Sequence, residues 1–122
     1  MKVLVTGAAG YIGSVVAREL SNNHDVTGTD MRPMPDLENS VVLNLNDAAA
    51  LHAAMTGMDA VCHIAWPMGK WSDVTEGDYT DMGLGVRGTY HLLKSAVDLG
   101  IERVIFKSTI NIIEASSDTW RI

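Results

Sequence analysis

The sequence predicts an α/β fold in which one parallel sheet is covered by helices on both faces. Three observations carry that prediction. Short β-branched apolar runs alternate with longer segments of helical period. The first run leads through a glycine-rich turn directly into a helical segment, and an acid, Asp30, closes the second run about twenty residues further on. The chain has 122 residues, 47% of them hydrophobic, which is enough to build a core for one domain and to offset the entropy of ordering it.

Each element can be read in turn. Lys2–Thr6 is a compact β-branched run and reads as a buried strand. From Tyr11, the residues Ile12, Val15, Val16, Ala17 and Leu20 recur at helical spacing, and the helix should stop near Asn22-Asn23. Val26–Thr29 is a second strand ending at Asp30. Met31–Ser40 holds Pro33 and Pro35 and no period, so it reads as loop. Val41–Leu43 is a short third strand. Asn46 or Asp47 can cap a helix over Ala48–Met55, which Gly57 ends. Asp59–Ala65 is the fourth strand and Trp66–Asp78 a loop. Thr80–Leu99 is a long helix stopped by Gly100, with Leu84, Gly88, Leu92, Ala96 and Leu99 along one face, and Arg103–Lys107 is the fifth strand. Right-handed crossovers then favour a doubly wound parallel sheet of Rossmann type, with strand order 3-2-1-4-5 and a single domain over residues 1–122.

A net charge of −6 with no block of Lys or Arg argues against a nucleic-acid partner. One cysteine, Cys62, excludes an internal disulfide and fits a reducing compartment; its place in the apolar run Ala60–Ala65 makes it a small buried side chain rather than a redox centre. Gly7 interrupts the opening apolar run too early for a signal peptide, and no stretch is long enough to cross a bilayer. These features predict a cytoplasmic protein with no membrane association.

The stretch Gly7-Ala8-Ala9-Gly10-Tyr11-Ile12-Gly13 carries the chemistry. Gly7 allows a turn that a Cβ would block, Gly10 lets the main chain approach a pyrophosphate, and Gly13 lets the helix pack closely on the strand. The helix then points free N–H groups near Tyr11 and Ile12 at the phosphate charge. Ser14 follows Gly13 where a P-loop would need Lys. Asp30 can accept hydrogen bonds from a ribose diol and would repel a 2′-phosphate, which favours NAD over NADP, although Arg32 stands two residues on and could pair with such a phosphate. His63 lies in an apolar strand with no His, Cys or carboxylate at ligand spacing, so it reads as a structural or cofactor-side residue and no metal site is expected.

With these residues in view, the chain resembles the extended short-chain dehydrogenase/reductase family, the NAD-dependent epimerase/dehydratases. Thr6–Gly13 resembles that family's TGxxGxxG signature. Asn44-Leu45 falls where the family usually carries an Asp followed by Leu or Ile beside the adenine, and Asn can still offer its carbonyl to the amino group. His63-Ile64-Ala65-Trp66 resembles the HLAA segment that lies along the cofactor, which implies contacts from Ile64, Ala65 and Trp66. Gly85-Val86-Arg87-Gly88-Thr89 resembles the NVxGT motif, with Gly85 in place of Asn. Arg103–Thr109 resembles the strand that delivers the active-site Ser or Thr, which makes Thr109 the match to the catalytic hydroxyl.

The resemblance also implies a Tyr and a Lys four residues later, acting as proton relay. No Tyr-x-x-x-Lys follows Thr109; Tyr90 and Lys94 have that spacing but lie on the helix before strand five, where they read as an ordinary helical pair. The resemblance therefore implies a truncated chain. It would be the dinucleotide-binding portion of an epimerase, dehydratase or reductase acting on a sugar nucleotide or similar hydroxyl or carbonyl substrate, without the C-terminal catalytic part and not competent by itself. The alternative is a non-catalytic NAD(P)-sensing module. Self-association is expected through the exposed fifth strand or a helix face.

Overall fold

The computed structural model describes residues 1–66 and 76–108. Among them the chain runs β1 (Lys2–Thr6), α1 (Tyr11–Ser21), β2 (Asp25–Asp30), β3 (Ser40–Val42), α2 (Ala48–Met55), β4 (Ala60–His63), α3 (Glu76–Leu99) and β5 (Arg103–Phe106). The strands form one sheet in the order β3-β2-β1-β4-β5, and every pairing is parallel. This is the predicted doubly wound order.

The alternation of β1 explains the two layers. Val3 and Val5 face one side, where they join Val26, Ala60 and Cys62 and are covered by α1 through Ala17. Leu4 faces the other side with Val61, covered by α2 through Leu51 and Met55 and by α3 through Leu92 and Ala96. Leu4, Leu51, Met55, Val61 and Leu92 have no solvent exposure at all, and each contributes roughly 1.5–3 kcal/mol by leaving water. Gly88, Leu92 and Ala96 are buried as the helical spacing predicted, with Leu99 packed at the margin; Leu84 lies outside the residues whose side chains are described. Cys62 is buried, and burial pushes its thiol pKa up, which leaves it unreactive.

Boundaries shift at several places. β2 starts at Asp25, because its N–H bonds to Met1 O and extends the ladder by one residue. β3 is Ser40–Val42 rather than Val41–Leu43: Gly28 pairs with Ser40, while Leu43 turns inward and is buried. β4 ends at His63, short of the expected Ala65, and β5 ends at Phe106, short of Lys107, since the last ladder pair is His63 with Phe106. The largest correction is α3, which begins at Glu76 instead of Thr80, so residues 76–78 are helix and not loop. The rest of the expected loop, 67–75, lies outside the described residues.

Candidate functional site

All strands run in the same direction, so their carboxyl ends share one edge of the sheet. The order reverses between β1 and β4, whose connections leave to opposite sides, and such a switch point opens a crevice for a ligand. Thr6 and His63 end these two strands and pair in register. The glycine turn rises from β1 at this point.

The three glycines differ in what requires them. Gly7 has φ +73°, and a Cβ on it would stand 2.7 Å from Ala65 Cα. A Cβ on Gly13 would stand 2.6 Å from the carbonyl carbon of Gly7 and closer still to its oxygen. Both positions are fixed by the protein's own packing. Gly10 is not: its φ of −83° and ψ of 166° suit any residue, and a Cβ there would meet only Gly7 O, at 3.1 Å. The amides of the turn are otherwise occupied. Gly7 and Ala8 donate to Thr29 O, Gly10 donates to Gly7 O, and Ala9 donates to Asp30 Oδ2 at 3.2 Å. The first turn of α1 follows with no side chain capping it and no acid in it. By contrast α2 is capped by Asp47, which accepts from Ala50 N at 3.0 Å. The terminus of α1 therefore presents main-chain donors to whatever lies outside Gly10, flanked by the exposed side chains of Tyr11 and Ile12.

Asp30 stands beside this shelf. Its Oδ1 accepts from Arg32 N at 3.0 Å and Arg32 Nε at 3.3 Å, so the guanidinium considered for a 2′-phosphate is turned onto the carboxylate. Asn44 Oδ1 accepts from Asn46 N and Nδ2 within its own turn. Leu45 packs against Gly88 of α3, where a Cβ would come within 2.9 Å of Leu45 Cβ, and its carbonyl accepts from His91 Nδ1 at 3.3 Å. Ile64 and Ala65 are half-buried and Trp66 is exposed at the end of β4. Thr109 lies outside the described residues. A groove of about 610 Å3 opens along the far flank of α1, lined by Arg18, His24 and Met34 among others; it takes Ala8 and Ala9 from the turn but neither Gly10 nor Asp30. The shelf at Gly10 is an open surface, distinct from that groove.

Two side chains have partners that the sequence did not reveal. Lys94 Nζ donates to Asp98 Oδ2 at 2.8 Å, one turn further along the helix, and this contact raises the lysine pKa, with a smaller electrostatic contribution from Tyr90. His63 is 2% exposed and sits between two hydroxyls, Thr6 Oγ1 at 2.7 Å from Nδ1 and Thr89 Oγ1 at 2.9 Å from Nε2. Sequence reasoning did not single out Thr6 or Thr89 as partners of this ring. The one available signal was that both are threonines inside the two glycine motifs. Among the described residues no three His, Cys, Asp or Glu side chains converge, and no helix is long and apolar enough to cross a membrane.

Burial, with a smaller repulsion from Lys107, lowers the His63 pKa to about 4. The unfolded chain binds a proton at an ordinary histidine pKa of about 6.5, before the folded chain does. Stability from this group is therefore complete above pH 6.5 and lost as the pH falls towards 4, by up to about 3 kcal/mol. Urea unfolding of wild type and His63→Asn at pH 7 and pH 4.5 should show a shallower acid loss in the variant.

Comparison with known proteins agrees with this geometry. The sequence profile of the NAD dependent epimerase/dehydratase family matches residues 3–119. The L-arabinose 1-dehydrogenase (NAD(P)(+)) of Haloferax volcanii is 36% identical over 111 residues, covering 88% of this chain and 41% of that protein. A short-chain dehydrogenase/reductase superfamily protein of Agrobacterium tumefaciens, crystallised with bound NAD, superposes with a TM-score of 0.82 at 33% identity, covering 92% of this chain and 34% of that one. UDP-glucose-4-epimerase of Stenotrophomonas maltophila, with bound NAD and formylated UDP-arabinopyranose, gives 0.80 at 26% identity, covering 92% and 38%. The chain thus spans roughly two fifths or less of these relatives. With a profile match over nearly its whole length and the glycine turn at the switch point of a 3-2-1-4-5 sheet, the chain belongs to the NAD dependent epimerase/dehydratase family.

Proposed function

We propose that these 122 residues form the NAD-binding portion of a dehydrogenase, epimerase or dehydratase that acts on a hydroxyl or carbonyl group of a sugar or sugar nucleotide. The observation that carries the reading is Gly10: its backbone angles suit any residue and a Cβ there would meet only Gly7 O, at 3.1 Å, while the missing side chain opens the uncapped end of α1 to a diphosphate. In the proposed pose the turn Gly7–Gly13 holds the pyrophosphate on the amides of Tyr11 and Ile12, and Asp30 takes the ribose diol. Asn44 and Leu45 flank the adenine, and Ile64, Ala65 and Trp66 run along the rest of the cofactor. NAD when bound supplies the hydride-accepting ring. Thr109 is the hydroxyl assigned to the substrate oxygen, and the remaining acid–base and substrate groups belong to a part of the protein outside residues 1–122. The single buried cysteine supports a reducing, cytoplasmic setting.

Calorimetric titration of the chain with NAD, NADP and ADP-ribose tests this directly. Binding of NAD and ADP-ribose, with NADP weaker, is expected; no heat with any of them at millimolar concentration overturns it. Asp30→Asn should weaken NAD about tenfold, the scale of a charge-assisted hydrogen bond, and narrow the gap to NADP, because Arg32 loses the carboxylate that holds it.

The partner reading extends to self-association. Val86, Tyr90, Leu93 and Val97 form an exposed apolar stripe on α3, and Ile105 and Phe106 leave β5 exposed. Val97→Glu should lower the association constant in sedimentation equilibrium if α3 is the contact; an unchanged constant moves the contact to β5.

A further inference from the structure

The hydrogen bonds around His63 can be assigned proton by proton. Thr89 Oγ1 donates its only proton to Gly85 O, at 2.9 Å along α3. Towards His63 that oxygen can then only accept, so Nε2 carries the ring proton. Thr6 Oγ1 accepts from Ala65 N at 3.2 Å and has its own proton left for Nδ1, 2.7 Å away. A single directed chain results, from Ala65 N–H through Thr6, the neutral ring of His63 and Thr89 to the Gly85 carbonyl. Every donor in it has an acceptor. A second ring proton, on Nδ1, would oppose the Thr6 proton in a place where Thr6 has no exposure.

The ends of this chain matter more than its middle. The Ala65 amide lies in the 64–66 segment that walls the glycine turn, and Ala65 Cα stands where a Gly7 side chain would be. The His63 carbonyl accepts from Lys107 N at 3.1 Å, which ties the exit of β5 to the same residue. Phe106 closes the ring's open side, with centroids 5.3 Å apart. The imidazole thus joins β1 to α3 and packs against Phe106, it holds the Thr6 hydroxyl that in turn holds the 64–66 segment, and the His63 main chain ties down the end of β5.

We infer that His63 is a positioning residue for the dinucleotide: locked as the Nε2–H tautomer between Thr6 and Thr89, it holds the 64–66 segment against the glycine turn so that the pyrophosphate shelf keeps its shape. The inference rests on the NAD reading above. The groups facing the ring are Thr6 from β1, Thr89 from α3, and Phe106 and Lys107 at the end of β5.

Two measurements on the full chain test it. In 15N imidazole NMR of the ligand-free protein, His63 should show a protonated Nε2 and a bare Nδ1, unchanged between pH 5.5 and 8; a protonated Nδ1, or exchange between tautomers, overturns the inference whatever NAD does. In NAD titrations, His63→Phe and Thr6→Val should each bind about tenfold more weakly, the scale of one buried hydrogen bond lost. His63→Asn, whose amide oxygen can take the Thr6 proton in place of Nδ1, should recover to within about threefold of wild type. Equal affinity for His63→Phe and His63→Asn reduces the ring to space-filling and overturns the inference. If His63→Phe does not fold, Thr6→Val decides alone, wild-type affinity being the overturning result. A wild-type chain that ignores NAD yet shows the expected tautomer overturns the cofactor reading and the positioning claim built on it, but leaves the directed hydrogen-bond chain standing.

Discussion

Gly13→Ala should destabilise the chain by about 3 kcal/mol, at the upper end of what overpacking usually costs. The sign makes the result informative. Within an exposed helix, replacing glycine by alanine stabilises by about 1 kcal/mol. Here the new Cβ would press into the Gly7–Ala8 peptide, against the Gly7 carbonyl and to within 3.2 Å of Ala8 Cα. Neither contact is with the end of a flexible side chain, so α1 must move off β1 as a unit. That movement would open the core of Val3, Val5 and Ala17. Urea unfolding followed by circular dichroism should show a lower midpoint with an unchanged slope. A midpoint equal to or above wild type would mean that the close approach of α1 to the strand is not what demands glycine at this position.

The fold was legible because its signals are local. Within Lys2–Thr6 the three central residues, Val3, Leu4 and Val5, are apolar in succession, as a strand buried on both faces must be, and the Ala48–Met55 helix carries its own cap in Asp47. Strand order followed from right-handed crossovers together with the dinucleotide-binding pattern of the first strand, turn and helix. What escaped was non-local or locally contradicted. The start of α3 was hidden by Gly77, which propensity reads as loop. Thr6 and His63 are 57 residues apart in sequence, and His63 and Thr89 are 26 apart; they meet only because β1 and β4 pair in parallel and α3 crosses behind them. Sequence reasoning placed His63 correctly as structural or cofactor-side but had no means to find its partners. The partner of Arg32 was hidden for a different reason. The arginine's ion pair with Asp30 spans only two residues, yet sequence offers no way to decide whether a long flexible side chain folds back or reaches outward.

Gly10→Ala is the sharper test of function, because stability and binding should separate. At φ −83° and ψ 166° alanine is unstrained, and its Cβ would ask Gly7 O to yield by a few tenths of an ångström from 3.1 Å. The stability change should stay within about 1 kcal/mol. The new methyl, however, projects from the residue that precedes the uncapped first turn of α1, into the space a diphosphate must enter to reach the Tyr11 and Ile12 amides. Charge-assisted hydrogen bonds to main-chain N–H groups lose strength steeply when held about 1 Å too long. Affinity for NAD should therefore fall at least about tenfold, and affinity for ADP-ribose by the same factor, since both share the pyrophosphate. Adenosine, which lacks it, should bind the variant as it binds wild type. If all three ligands weaken together, the methyl has distorted the turn; if none does, the phosphates lie elsewhere and the glycine spacing serves only to seat a helix on a strand.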